Sequence, residues 1–138
     1  MPASAIIAII ATIALTLTEA HVDNPRTITL NQLTDALRAG DVDHFWNVLT
    51  PDYFGGELIA GSRWVPLDRV GREASALNID RNARIIVYCS GSSCPNSRDA
   101  GAKLATLGFA NVRVFEGGLE AWKADGRGVE LLPRSAAA

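Results

Sequence analysis

From residue 27 onward, short apolar runs alternate with stretches in which apolar residues recur every three or four positions. Thr27-Ile28-Thr29-Leu30 reads as a short strand. Asn31 to Ala39 carries Leu33 and Leu37 at helical spacing, with Thr29 and Gln32 set as a capping box and Gly40 as the stop. Phe45 to Leu49 is a second apolar run, closed by Thr50-Pro51-Asp52, and Gly55-Gly56 marks a turn. Ser62 to Val65 fits a strand ended by Pro66, and Leu67 to Leu77 places Leu67, Val70, Ala74 and Leu77 near one helical face. Arg84 to Cys89, after the turn Asp80-Arg81-Asn82, shows no apolar–polar alternation. That marks a strand buried on both faces, as in the middle of a parallel sheet. Ser97 to Leu107 aligns Ala100, Leu104 and Leu107 in one stripe and is stopped by Gly108. Asn111 to Phe115 reads as a strand, Gly117-Gly118 as a tight turn, and Leu119 to Ala124 as a short helix carrying Trp122. Strands alternating with helices predict one α/β domain over residues 27–130, a mostly parallel sheet with helices on both faces. In such sheets the functional site lies at the carboxyl ends of the strands.

The ends differ from this pattern. Pro2 to Thr18 carries no charge and is dominated by Ala, Ile and Leu. A membrane-spanning helix needs roughly 17–25 apolar residues, so this segment is at the short limit. Residues 1–20 therefore read as an export signal or an anchor held in the membrane through residues 3–18, and Thr18-Glu19-Ala20 is a passable cleavage site. The competing reading is a hydrophobic segment packed on the domain or on a partner, since the usual basic residues at the start are missing. The first reading implies a periplasmic or membrane-anchored protein, the second a cytoplasmic one. Residues 21–26 read as a linker, and the alanine-rich end over 131–138 as a frayed tail.

Composition narrows the function classes. The 138 residues are 48% hydrophobic and 20% charged, with a net charge of −2. No run of Lys and Arg is present, so the electrostatic footprint of a nucleic-acid partner is missing. There are two cysteines, too few for a disulfide framework. They supply half of a zinc site, and His21 and His44 have no ligand-like spacing to them, so no metal is assigned. No glycine fingerprint for a nucleotide is present, and no cofactor is expected.

The chemistry concentrates where the central strand ends. Cys89 closes the run Ile85-Ile86-Val87-Tyr88, and Ser90, Gly91, Ser92, Ser93, Cys94 and Pro95 follow before a helix that starts near Ser97 and Arg98. Small residues let a loop curl so that several N–H groups point inward as an anion nest. Such a nest, a helix start and the charge of Arg98 can stabilise a thiolate, a persulfide or an oxyanion, and so lower the pKa of Cys89. The bland alternative is that Cys89 is a small buried hydrophobe. Cys94, before a proline, is expected at the outer edge of the loop, as a resolving thiol, an alternative nucleophile or an inert residue. Phosphatase chemistry of the Cys-x5-Arg kind fails on spacing: six residues after Cys89 stands Pro95, and six after Cys94 stands Ala100.

Several blocks together resemble a rhodanese domain. They are Ile85-Ile86-Val87-Tyr88-Cys89, Ser97-Arg98-Asp99-Ala100, Leu104-Ala105-Thr106-Leu107-Gly108-Phe109 with Asn111-Val112, and Glu116-Gly117-Gly118-Leu119-Glu120-Ala121-Trp122. Upstream, Ile59-Ala60-Gly61-Ser62 and Val65-Pro66 fit the same family. The resemblance implies a five-stranded parallel sheet sandwiched by helices and a sulfurtransferase. In that chemistry a thiolate takes sulfane sulfur from a donor such as thiosulfate and passes it to a thiophilic acceptor, a small molecule or a protein. It puts Cys89 at the catalytic position. Three features depart from the usual pattern. The loop from Cys89 to Ser97 is about two residues longer and holds a second cysteine. The family's Asp-x-Arg reads Asn47-Val48-Leu49, and its histidine is Leu58. The departures keep two rivals in view: a rhodanese-like module that binds without turnover, and a dithiol redox site cycling through a Cys89–Cys94 disulfide.

Overall fold

The computed structural model describes residues 24–132. The segments read as an export signal or anchor (1–20) and most of the terminal tail (133–138) lie outside them. Among the described residues no helix is long and apolar enough to cross a membrane.

In chain order the elements are β1 (Arg26–Thr27), α1 (Leu30–Ala39), β2 (His44–Asn47), β3 (Glu57–Leu58) and β4 (Arg63–Trp64). A 3-10 turn (Leu67–Arg69) leads into α2 (Val70–Ala76), then come β5 (Arg84–Tyr88), α3 (Asn96–Thr106), β6 (Asn111–Phe115), α4 (Gly118–Ala124) and β7 (Glu130–Leu131). Five strands form one parallel sheet in the order β1-β6-β5-β2-β4. The step from β1 to β2 through α1 runs one way across it. The steps into β5 through α2 and into β6 through α3 run the other way. With right-handed crossovers, α1 then covers one face and α2 with α3 the other. This is the three-layer α/β architecture expected from the sequence, with five parallel strands.

The local signals explain the elements. The Thr29 hydroxyl accepts the Gln32 N–H at 3.1 Å and the Gln32 side chain accepts the Thr29 N–H at 2.9 Å, while Gly40 adopts the left-handed C-cap at φ 71°. Ile85, Ile86, Val87, Tyr88 and Cys89 are all 0% exposed, so β5 is buried on both faces as its lack of alternation demands. Burial of each large aliphatic side chain there is worth about 1.5–3 kcal/mol. At the amino end, Arg84 ties β5 to the start of β2 by hydrogen bonds to both carboxylate oxygens of Asp43 (2.9 and 3.0 Å).

Four details differ from the sequence reading. β1 starts one residue earlier, at Arg26, and the Asn24 side chain bonds to the Phe109 carbonyl (2.8 Å) and to the Val112 N–H (3.2 Å). The second half of the linker placed at 21–26 is therefore part of the domain. Leu77 and Leu107 are not core residues: each follows the last turn of its helix as C-cap and is 44% and 43% exposed. Finally, the chain beyond Gly128 does not fray at once. β7 pairs antiparallel with β3, and the Leu132 N–H donates to the Gly56 carbonyl at 2.7 Å. Two-residue strands are too short to leave a period in a sequence.

Candidate active site

The strand order reverses direction between β2 and β5. After β2 the chain moves to β4 on one side, and after β5 it moves to β6 on the other. Loops leaving the carboxyl ends of two such neighbours diverge and open a crevice. A cavity of about 550 Å³ lies there, lined by Leu49 and Tyr53 after β2 and by Ser90, Ser93, Cys94, Pro95 and Asn96 after β5. A cavity of about 530 Å³ at the opposite ends of these strands, around Asp43 and His44, is lined by no thiol.

The loop after β5 is held from several sides. The Leu119 N–H donates to the Cys89 carbonyl (3.0 Å) and the Glu120 N–H to the Ser90 carbonyl (2.8 Å), so the first turn of α4 clamps the strand end. This approach requires Gly118, at φ 57°: a Cβ there would run into the Cys89 carbonyl oxygen and stand 2.8 Å from the Gly91 nitrogen. Gly91 is buried, and its carbonyl accepts the Cys94 N–H at 3.0 Å, closing a turn over Ser92 and Ser93. Both of these serines are exposed.

The two thiols stand in different surroundings. Cys89 is completely buried, with its Sγ 3.4 Å from the Cys94 carbonyl and 3.5 Å from the Ser97 hydroxyl, which is itself buried. Cys94 is half-buried and forms part of the cavity wall. Both thiols are free, and the two residues are neighbours through the contact of the Cys89 Sγ with the Cys94 carbonyl. Burial pushes the Cys89 thiol up, the contact with Cys94 adds to this, and the Ser97 hydroxyl and N–H only partly offset them. Burial also acts upward on Cys94, but it is outweighed by hydrogen bonds from Cys89, from the N–H groups of Asn96 and Ser90 and from the Ser90 hydroxyl, and its pKa falls below the ordinary thiol value. The expected lowering at Cys89 is thus reversed, and it is Cys94, half-buried in the cavity wall, whose pKa falls. The Gly91–Cys94 turn is what folds the second cysteine back over the first.

Of the other residues predicted for the site, Ser90 and Ser93 line the cavity and Ser97 reaches Cys89. Arg98 is exposed and donates to the Ser92 carbonyl at 3.3 Å. It braces the loop, and the shifts of the thiols trace to burial, hydrogen bonds and each other. Sequence reasoning missed Leu49, Tyr53, Pro95 and Asn96 as cavity residues. The signal available for the first two was the loop Thr50–Gly56, which leaves the strand next to β5. Among the described residues no three His, Cys, Asp or Glu side chains group to hold a metal.

A family model described as a rhodanese-like domain matches residues 29–125, well over half of the chain. The chain belongs to the rhodanese-like family. A search of curated proteins by sequence finds no match. Among solved structures, a rhodanese-like domain from Anabaena sp. is similar at 25% identity and a TM-score of 0.66, covering 77% of this chain and 79% of that one. A thiosulfate sulfurtransferase from Pseudomonas aeruginosa superposes at a TM-score of 0.65 with 24% identity, over 85% of this chain and 22% of its own. A human single-domain sulfurtransferase does so at 0.60 and 14% identity, over 71% of this chain and 95% of its own.

Within this rhodanese-like fold the positions that depart from the usual pattern are internally satisfied. Asn47, where the family's acid is expected, is fully buried: its Oδ1 accepts the Leu49 N–H at 2.9 Å and its Nδ2 donates to the Glu57 carbonyl at 3.3 Å. The Tyr88 hydroxyl accepts the Ile59 N–H at 2.9 Å and shares a hydrogen bond of 2.7 Å with Ser62. Leu58, at the histidine position, is buried in β3.

Proposed function

We propose that this protein is a sulfurtransferase that carries sulfane sulfur as a cysteine persulfide in the loop 89–97. The donor is a small sulfur-containing anion such as thiosulfate, and the acceptor is a thiol. The observation that carries this reading is the pair of free thiols at the switch point of the sheet, the buried one 3.4 Å from the carbonyl of the other, which lies in a cavity wall. Cys89, at the family's nucleophile position, and Cys94 are the residues assigned to the chemistry. Membership of the rhodanese-like family and similarity to folds of known sulfurtransferases support it. A dithiol–disulfide exchange between the two cysteines is the second reading, favoured by the approach of the Cys89 Sγ to the Cys94 backbone.

With thiosulfate as donor and dithiothreitol as acceptor, the protein is expected to release sulfide in step with sulfite. The Cys89→Ser/Cys94→Ser double variant is expected to do neither. A double variant as active as the wild type, or no sulfide from either protein, overturns the proposal.

A further inference from the structure

The family chemistry needs one cysteine, and this loop holds two, with the Sγ of the first 3.4 Å from the carbonyl of the second. Only Cys94 lines the cavity, while Cys89 lies beneath it with no exposed surface. An anion arriving from solvent meets the Cys94 sulfur first. Hydrogen bonding from Asn96 and Ser90 lowers the pKa of that thiol and so favours its nucleophilic thiolate form. Resting on the sulfurtransferase reading, we propose that Cys94 receives the sulfane sulfur and that Cys89 discharges it as sulfide, closing a Cys89–Cys94 disulfide.

The steps balance. The Cys94 thiolate attacks the outer sulfur of thiosulfate; a Cys94 Sγ–S bond forms, the S–S bond of the donor breaks, and sulfite leaves with the electron pair. Cys89 then attacks the Sγ of the Cys94 persulfide. The Sγ–Sγ bond forms, the bond to the outer sulfur breaks, and that sulfur leaves with the bonding pair and takes up the Cys89 proton, giving sulfide. The sulfane sulfur is reduced by two electrons and the cysteine pair is oxidised by two. A dithiol reductant returns the pair to thiols for the next cycle. The attack is intramolecular between residues of one loop whose side chain and backbone already touch, so it competes well with acceptors that must diffuse in. The proton sits on the right sulfur at the start: Cys89 is held protonated by burial, while Cys94 is held toward the thiolate.

The test is a single exposure of the pre-reduced full-length chain, freed of reductant, to thiosulfate. Sulfide in solution, intact mass and the alkylated cysteine peptides are then followed. The wild type is expected to release about one sulfide per chain and to end as the internal disulfide. Cys89→Ser is expected to stop at a stable adduct of about 32 Da on Cys94 with no sulfide. Cys94→Ser is expected to lose most of its adduct formation. A wild type that keeps a stable persulfide without sulfide release, or a Cys94→Ser chain that loads Cys89 as fast as the wild type loads, overturns the relay and leaves the sulfurtransferase reading standing. Failure of every variant and of the wild type to take sulfur overturns that reading itself.

Discussion

The Sγ of Cys89 donates toward the backbone carbonyl of Cys94 across 3.4 Å, so the buried thiol is bonded to the residue whose own sulfur faces the cavity. The loop thereby holds one cysteine as a protonated donor beneath another poised as an anion. Conventional expectation for a thiol at a strand end is activation of that thiol, and here the hydrogen bonds favour its neighbour.

This division predicts two different pH profiles. Cys94 ionises at lower pH than an ordinary thiol and Cys89 at higher pH. Iodoacetamide reacts with thiolates, so its rate at Cys94 should rise at lower pH than for a free thiol, while Cys89 stays slow through neutrality. Peptide mapping of alkylation rates against pH reads both. In Cys89→Ala the Cys94 profile should move to higher pH, because the neighbour that lowers its pKa is gone. Coincident profiles for the two cysteines contradict the assignment.

Gly118→Ala should damage the site from outside the loop. The added methyl meets the Cys89 carbonyl and the Gly91 backbone, and φ 57° is itself unfavourable for alanine. We expect a loss of about 2 kcal/mol or more in urea unfolding. Alkylation of Cys89 should also accelerate as the strand end is displaced.

Tyr88→Phe removes the acceptor of the buried Ile59 N–H and the partner of Ser62. An unsatisfied buried donor costs about 1–3 kcal/mol. Equilibrium unfolding should show that loss, with the alkylation profiles of both cysteines little changed, since the hydroxyl points to the segment before β4 rather than to the thiols.

Asn47 separates polarity from charge. Asn47→Ala strands the Leu49 N–H and should cost about 1–3 kcal/mol. Asn47→Asp keeps that acceptor but buries a charge and turns the donor to the Glu57 carbonyl into a second acceptor. Its stability should therefore fall as pH rises through the range in which the buried carboxyl ionises. A pH-independent Asn47→Asp variant would show that a counter-charge is reachable.

Much of the frame was legible in the sequence, and particular residues show why. Ile85 to Cys89 lacks alternation because β5 is covered on both faces, and Thr29, Gln32 and Gly40 set the ends of α1 by backbone hydrogen bonds that act locally. The location of the site followed from the same strand end. The roles of the two thiols did not, because they depend on how Ser90 to Asn96 folds back: Cys94 reaches the cavity through the Gly91–Cys94 turn and the clamp from Leu119 and Glu120, contacts that span the chain. Arg98 looked like a charge for the site because position alone was visible; its side chain instead reaches the Ser92 carbonyl. The β3–β7 pair rests on two residues from each strand and left no periodic trace.

The most direct test of sulfur transfer is the sulfite released in a single turnover with thiosulfate, because loading any cysteine in the loop liberates it whatever becomes of the persulfide. The account predicts a burst of about one sulfite per chain from the reduced wild type and none from the Cys89→Ser/Cys94→Ser double variant. A wild type that releases no more sulfite than the double variant would contradict it.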